Sequence, residues 1–204
     1  MAELKRSYYD SGELKAEWFE LNGEIEGEFK FYKLNGHLDT ICNFVNGKLN
    51  GEYNTYTYNT YNGYEKIKSV YNYVNGKLEG EYKSYWENGQ LHKIYNFVNG
   101  KVEGESKTYY DNGQLWMIRN YVNDYEYGEH KEYYKNGQLS EVYNFTSGHF
   151  PKGLYEGEYK FYWENGQLRE IGNYMNGKKH GSYKVYDMNG ELKDNRNYIV
   201  GNEI

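Results

Sequence analysis

The stretch SYWENGQLHKIYNFVNGKVEGESKTYYDNGQL, residues 84–115, decides the fold. NGQL at Asn88-Gly89 returns 24 residues later at Asn112-Gly113, and between them lie a second Asn-Gly at Asn99-Gly100 and a third glycine, Gly104. Asn-Gly flanked by aromatic and branched runs signals a hairpin, because both central residues of a type I′ turn take positive φ. NGQL therefore reads as a tight type I′ turn. Tyr85 and Trp86 lead into it, and Leu91, Ile94, Tyr95, Phe97 and Val98 lead out, a composition suited to strands. NGKVEGE reads as a longer connection with glycine at both ends, so each repeat supplies two strands.

The pattern extends outward in both directions. First-turn glycines stand at Gly12, Gly36, Gly63, Gly89, Gly113, Gly137, Gly166 and Gly190, which gives eight repeats with a regular length of 24 residues. Such self-similarity marks a repeat architecture. Insertions interrupt it near residues 57–70 and 149–153, and the single proline, Pro151, falls in the second, as expected of a residue that cannot donate to a strand ladder. Helix is excluded because glycine or Asn-Gly recurs too often, each interior glycine costing about 1 kcal/mol relative to Ala. Up to sixteen strands spaced about 4.8 Å apart would form a ribbon roughly 75 Å long. The expected fold is all-β: an elongated, single-layer, twisted antiparallel sheet of about eight 24-residue hairpin repeats, one array spanning residues 1–204.

Columns of residues suggest what holds such a sheet together. Leucine follows the first-turn glycine by two residues at Leu14, Leu38, Leu91, Leu115, Leu139, Leu168 and Leu192, and an aromatic follows six later at Phe44, Phe97, Tyr121, Phe145, Tyr174 and Tyr198. Equal parity places both columns on one face. A tyrosine column precedes the glycine by four residues, at Tyr8, Tyr32, Tyr85, Tyr109, Tyr133, Tyr162 and Tyr186.

Composition narrows the function. Leu, Ile, Val and Phe total 38 of 204 residues, a thin core, whereas 28 Tyr and 4 Trp supply broad apolar rings that tolerate water. The net charge of −6 is spread through interleaved signs, with no basic patch for a nucleic acid. No apolar run has the length of a signal peptide or membrane span, and one cysteine, Cys42, forms no internal disulfide, so a cytoplasmic location is expected.

Chemistry-bearing residues do not converge. His37, His92, His130, His149 and His180 occupy five different slots in five repeats, which argues against a metal site. Cys42 stands where Tyr71, Tyr95 and Tyr143 stand elsewhere, so it reads as a packing residue. The glutamates after the third glycine, among them Glu81, Glu105, Glu129 and Glu158, are followed two residues on by Lys83, Lys107, Lys131 and Lys160, as on a solvated face. No phosphate-cradling glycine motif is present. No enzyme, metal or cofactor is expected.

The recurring YYxNGQL…NYxNGKxxGEYKxYY resembles the MORN-type repeat, in the variant form found in the YwqK family of antitoxins, from about Ser7 to Tyr198. The resemblance implies an antiparallel hairpin array with a protein-binding, scaffold or toxin-neutralising role, and membrane-lipid attachment for some members. The third repeat, with NTYTYNTYNGYEKIKS, departs from the pattern.

The leading expectation is a non-enzymatic protein that presents one aromatic face to a protein partner, as an antitoxin or immunity protein would. Its candidate contact residues are Tyr85, Trp86, Tyr109, Tyr110, Trp116, Tyr133, Tyr134, Tyr162 and Trp163, because Tyr and Trp contribute heavily at interfaces. Trp116 stands out, since its equivalents Lys15, Asp39, His92, Ser140, Arg169 and Lys193 are polar and a Trp there has no evident packing reason. The alternative is a membrane-associated scaffold for acidic lipid head groups, which a net −6 disfavours. The pattern leaves both edge strands without caps, so edge-to-edge pairing into a homodimer is also expected.

Overall fold

The computed structural model describes residues 1–58, 63–146 and 154–204. Residues 59–62 of the first insertion, and the whole of 149–153 with His149 and Pro151, lie outside the described residues. The described chain is all-β, and no helix in it is long and apolar enough to cross a membrane. It divides into two compact units, Met1–Lys101 and Val102–Ile204.

In the first unit, β1 (Glu3–Tyr8) pairs with β2 (Leu14–Leu21), β3 (Glu24–Tyr32) with β4 (Leu38–Val45), and β5 (Lys48–Tyr58) with β6 (Glu65–Val74). Short β7 (Lys77–Leu78) leads into β8 (Gly80–Tyr85), which pairs with β9 (Leu91–Val98). The second unit begins within β10 (Lys101–Tyr109), which pairs with β11 (Leu115–Val122). There follow β12 (Tyr125–Glu126), β13 (Gly128–Tyr133), β14 (Leu139–Phe145), β15 (Gly157–Tyr162), β16 (Leu168–Met175), β17 (Lys178–Lys179), β18 (Gly181–Tyr186), β19 (Leu192–Ile199) and β20 (Asn202–Glu203). Within each unit the strands pair antiparallel, both inside a hairpin and between hairpins.

Two turn types alternate, in the reverse of the order the sequence suggests. At NGQL the Gly89 N–H donates to the Trp86 carbonyl at 2.8 Å, and the Trp86 N–H donates to the Gln90 carbonyl at 2.8 Å. Gly89 has φ 89° while Asn88 stays out of the positive region, so the connection is a type I turn followed by a left-handed glycine rather than a type I′ turn. Asn88 serves through its side chain instead, its Oδ1 accepting the Gln90 N–H at 3.0 Å. The type I′ turn sits at the second Asn-Gly. Asn75 and Gly76 have φ 51° and 79°, and Val74 faces Lys77 directly. What reads as a long connection is thus a two-residue turn, followed by a bulge at the third glycine that separates β7 from β8.

Successive second turns are stitched together. The Gly76 N–H donates to the Leu49 carbonyl at 2.8 Å, and the Asn176 N–H donates to Glu156 Oε2 at 2.8 Å. The residue before the third glycine therefore caps the neighbouring turn, as Glu26, Glu79 and Glu103 also do.

The first-turn bulge decides which columns share a face. Ser84 opposes Lys93, but the adjacent Tyr85 opposes Leu91, so His92 is the extra residue. Because directly opposed residues share a face and neighbours alternate, Leu91 lies with Tyr85 on one face, while Lys93, Tyr95 and Phe97 lie on the other. Even spacing misleads here: the leucine and aromatic columns are on opposite faces.

One face is closed and the other open. In the first unit a row of directly opposed residues runs Ala16, Phe31, Thr40, Thr55, Ser69, Ser84. The equivalent row of the second unit runs Thr108, Met117, Glu132, Glu141, Phe161, Glu170, Val185. Among the described residues, the buried side chains all lie on this closed face: Ala16, Thr40, Cys42, Ser69 and Ser84 in the first unit, and Thr108, His130, Phe145 and Tyr159 in the second. Stacked and edge-on rings fill it, as in Tyr71–Tyr82–Tyr95 and in Tyr143–Tyr155–Tyr174–Tyr159. The small hydroxyls of the row leave room for those rings.

Candidate partner-binding face

The nine aromatic candidates do not form one surface. Tyr85 in the first unit and Tyr109, Tyr133 and Tyr162 in the second lie on the open face, each half-buried and opposite Leu91, Leu115, Leu139 and Leu168 respectively. Trp86, Tyr110, Tyr134 and Trp163 follow them by one residue and point to the other side, at the hairpin ends. Most of these hairpin-end rings are structural fasteners. The Tyr110 hydroxyl donates to the Tyr133 carbonyl at 2.8 Å, the Tyr134 hydroxyl to the Tyr162 carbonyl at 2.7 Å, and Trp163 Nε1 to the Tyr186 carbonyl at 3.2 Å.

Trp116 has a packing reason after all. It occupies the bulge position and stacks on Tyr110 with ring centroids 5.4 Å apart. The same two slots pair in five other repeats. His92 lies on Trp86 at 3.9 Å, Lys15 and Arg169 sit over the Tyr9 and Trp163 rings at 5.6 and 5.4 Å, and Lys33–Asp39 and Asp187–Lys193 form ion pairs at 3.4 and 2.9 Å. Where the ring is replaced by a charge, its partner carries the opposite charge. The bulge slot is therefore a complementary clasp, and Trp116 is its aromatic version.

The open face of the second unit carries a row invisible to column counting. Lys107, Ile118, Lys131, Val142, Lys160, Ile171 and Lys184 oppose one another in turn across seven strands, β10, β11, β13, β14, β15, β16 and β18. Lysine stems thus flank half-buried aliphatic residues, and their ammonium groups pair back along the strand: Lys107 with Glu105 at 2.6 Å, Lys131 with Glu129, and Lys160 with Glu158. Beside this row stand the Tyr–Leu pairs. The result is an apolar and aromatic lattice with locally neutralised charge. A signal for it was present in the alternation of Lys and Ile or Val, once strands are laid side by side.

The closed face carries titratable groups that burial shifts. Burial pushes the Cys42 thiol up to about 11, the opposite of what a nucleophilic cysteine needs. Burial also raises the Tyr143 and Tyr159 hydroxyls, the latter donating to Glu170 Oε1 at 2.8 Å. Glu141 is raised by burial and then by its neighbour Glu132. In the first unit a cleft of about 480 Å³ is lined by hydroxyl and lysine side chains, including Thr55, Ser69, Ser84 and Lys93. Among the described residues, His130, Glu132 and Glu141 are the group able to hold a metal ion, contrary to the expectation that no histidine joins such a set.

These features define a class, the antiparallel hairpin-repeat module with one closed and one open face. The chain belongs to the MORN repeat variant family, which matches residues 25–46, 78–99, 102–123, 126–146 and 155–176, together more than half of its length. Repeats of this family are generally protein- or lipid-binding modules. No curated protein matches the chain in whole-sequence comparison. Among solved structures, it is similar to the Photorhabdus luminescens Tc holotoxin pore carrying a TccC3-D651A mutation, at 12% identity and TM-score 0.23, covering 97% of this chain and 13% of that one. It is likewise similar to TcdB2-TccC3-TEV, at 13% identity and TM-score 0.21, covering 95% of this chain and 11% of that one. The chain spans about an eighth of those proteins, and likeness at this level carries no argument.

Proposed function

We propose that the chain is a non-enzymatic protein-binding module that engages its partner through the open face of the second unit, and that it acts as an antitoxin or immunity protein. The supporting observation is the half-buried lattice of Tyr109, Tyr133 and Tyr162 with Ile118, Val142 and Ile171 on strands backed by a ring-filled closed face. Aromatic and branched side chains held on a rigid sheet lose little entropy on binding. The lipid alternative has less support, because the lysines that would meet acidic head groups already pair with Glu105, Glu129 and Glu158. The antitoxin assignment rests on the resemblance of the repeat.

The test is capture of a partner from source-cell lysate by the tagged full chain, repeated with Tyr133→Ala/Tyr162→Ala and with Trp116→Ala. The open-face pair should weaken capture by at least about tenfold, as loss of interface anchors does, while Trp116→Ala leaves it unchanged. Retained capture by the open-face pair would refute the assigned surface. If the captured protein is toxic when expressed alone and harmless when co-expressed with this chain, the antitoxin role stands. Flotation with acidic vesicles and no captured protein would replace it with the lipid role.

A further inference from the structure

We propose that His130, Glu132 and Glu141, on β13 and β14 of the second unit, form a binding site for a divalent transition-metal ion of the zinc type. One ligand atom from each residue lies within 4.8 Å of the others, and His130 Nε2 is 3.1 Å from Glu132 Oε1. Donors around a tetrahedral ion at about 2.0–2.2 Å are about 3.3 Å apart, so a small rotation of Glu141 completes the set. Imidazole with two carboxylates is a donor set that zinc accepts, leaving one position open.

Three further observations point the same way. First, Glu132 and Glu141 are directly opposed on the closed face, like charges with His130 beside them that an ion held by all three would reconcile. Arg119 Nε pairs with Glu126 at 2.9 Å, and Arg169, whose charge also reaches Glu141, lies over the Phe161 and Trp163 rings. Second, His130 is only 2% exposed, and its orientation is fixed. Its ring stacks on Tyr143 at 4.3 Å with planes 10° apart, and its Nδ1, buried without a hydrogen bond, is 3.8 Å from Glu126 Oε1. Glu126 thus faces Nδ1, the side from which a carboxylate accepts the proton of a metal-ligating histidine, while Nε2 is directed at Glu132. Third, acids recur at the Glu141 slot as Glu170 and Asp194, but those oppose Phe161 and Val185, whereas on β13 and β14 two acids oppose each other.

Isothermal titration of the metal-stripped full chain with Zn²⁺, with thermal melting in parallel, tests this. Wild type should bind one equivalent at this site and melt higher in its presence. Glu132→Gln/Glu141→Gln keeps the shape, removes the charge repulsion and should fold, yet lose that equivalent, with affinity down at least about 100-fold. Glu126→Gln touches no ligand atom and should weaken binding by about 10- to 100-fold. No Zn²⁺ binding to wild type, or binding undiminished in the Gln pair, overturns the proposal.

Discussion

Gly172→Ala sets two physical effects against each other. Gly172 lies on β16 directly opposite Tyr159, at the slot that Cys42, Tyr71, Tyr95 and Tyr143 fill in other repeats. It lies outside the positive-φ glycines, so chain entropy alone favours alanine in a strand by about 0.5–1 kcal/mol. A Cβ there would lie 2.8 Å from Tyr159 Cε1 and from its hydroxyl oxygen. Tyr159 is 1% exposed and its hydroxyl is committed to Glu170, so the ring has nowhere to go. Overpacking of this kind costs about 1–3 kcal/mol and should exceed the entropic gain. Urea unfolding followed by tryptophan fluorescence should show Gly172→Ala destabilised by about 1–2 kcal/mol net. In a Tyr159→Ala background the same change should be neutral or stabilising, a coupling of about 1–3 kcal/mol. Stabilisation by Gly172→Ala in the wild-type background, or strict additivity, would refute the argument that glycine is present to admit the ring.

The remaining predictions concern the turns, the hairpin fasteners and the cysteine. Asn176→Gly at a type I′ position, where φ is 51°, should be neutral or slightly stabilising, whereas Asn165→Gly at a first turn should cost about 1 kcal/mol in thermal or urea unfolding because it removes the Oδ1 bond to Gln167 and the Nδ2 bond to Met188. Tyr110→Phe removes the bond to the Tyr133 carbonyl and should cost about 0.5–1.5 kcal/mol by the same measurement, with stacking on Trp116 preserved. With its thiol raised from 9.0 to about 11, Cys42 should react with a disulfide reagent at pH 8 about 100-fold more slowly than an ordinary cysteine, and normally once denatured; rapid reaction of the folded chain would contradict its burial.

Much of the fold was legible because glycine geometry is unforgiving. Repeat length, number of hairpins and absence of helix all follow from where Asn-Gly and the third glycine fall. Turn type did not follow, because Asn-Gly serves both turns: at Asn75 through backbone φ, at Asn88 through the side-chain oxygen. Parity failed for a related reason, since the bulge at His92 and its equivalents adds a residue that counting cannot see, and Leu91 and Phe97 are thereby sent to opposite faces. The candidate site was half legible. Tyr109, Tyr133 and Tyr162 were found by column, but the aliphatic row beside them requires cross-strand register. Trp116 looked unexplained only because its partner, Tyr110, lies across the turn. The His130 group is invisible in the histidine slots alone, because the Glu141 beside it comes from the opposite strand and only register brings the two together.

The central claim is that one face is spent on the core and the other is available to a partner. Hydroxyl-radical footprinting of the tyrosines, in the free chain and in its captured complex, tests it most directly. The account predicts that Tyr159, 1% exposed, resists modification in both states, and that Tyr109, Tyr133 and Tyr162 are modified in the free chain and protected in the complex. Ready modification of Tyr159 in the free chain, or a complex that leaves Tyr109, Tyr133 and Tyr162 as reactive as before, would contradict it.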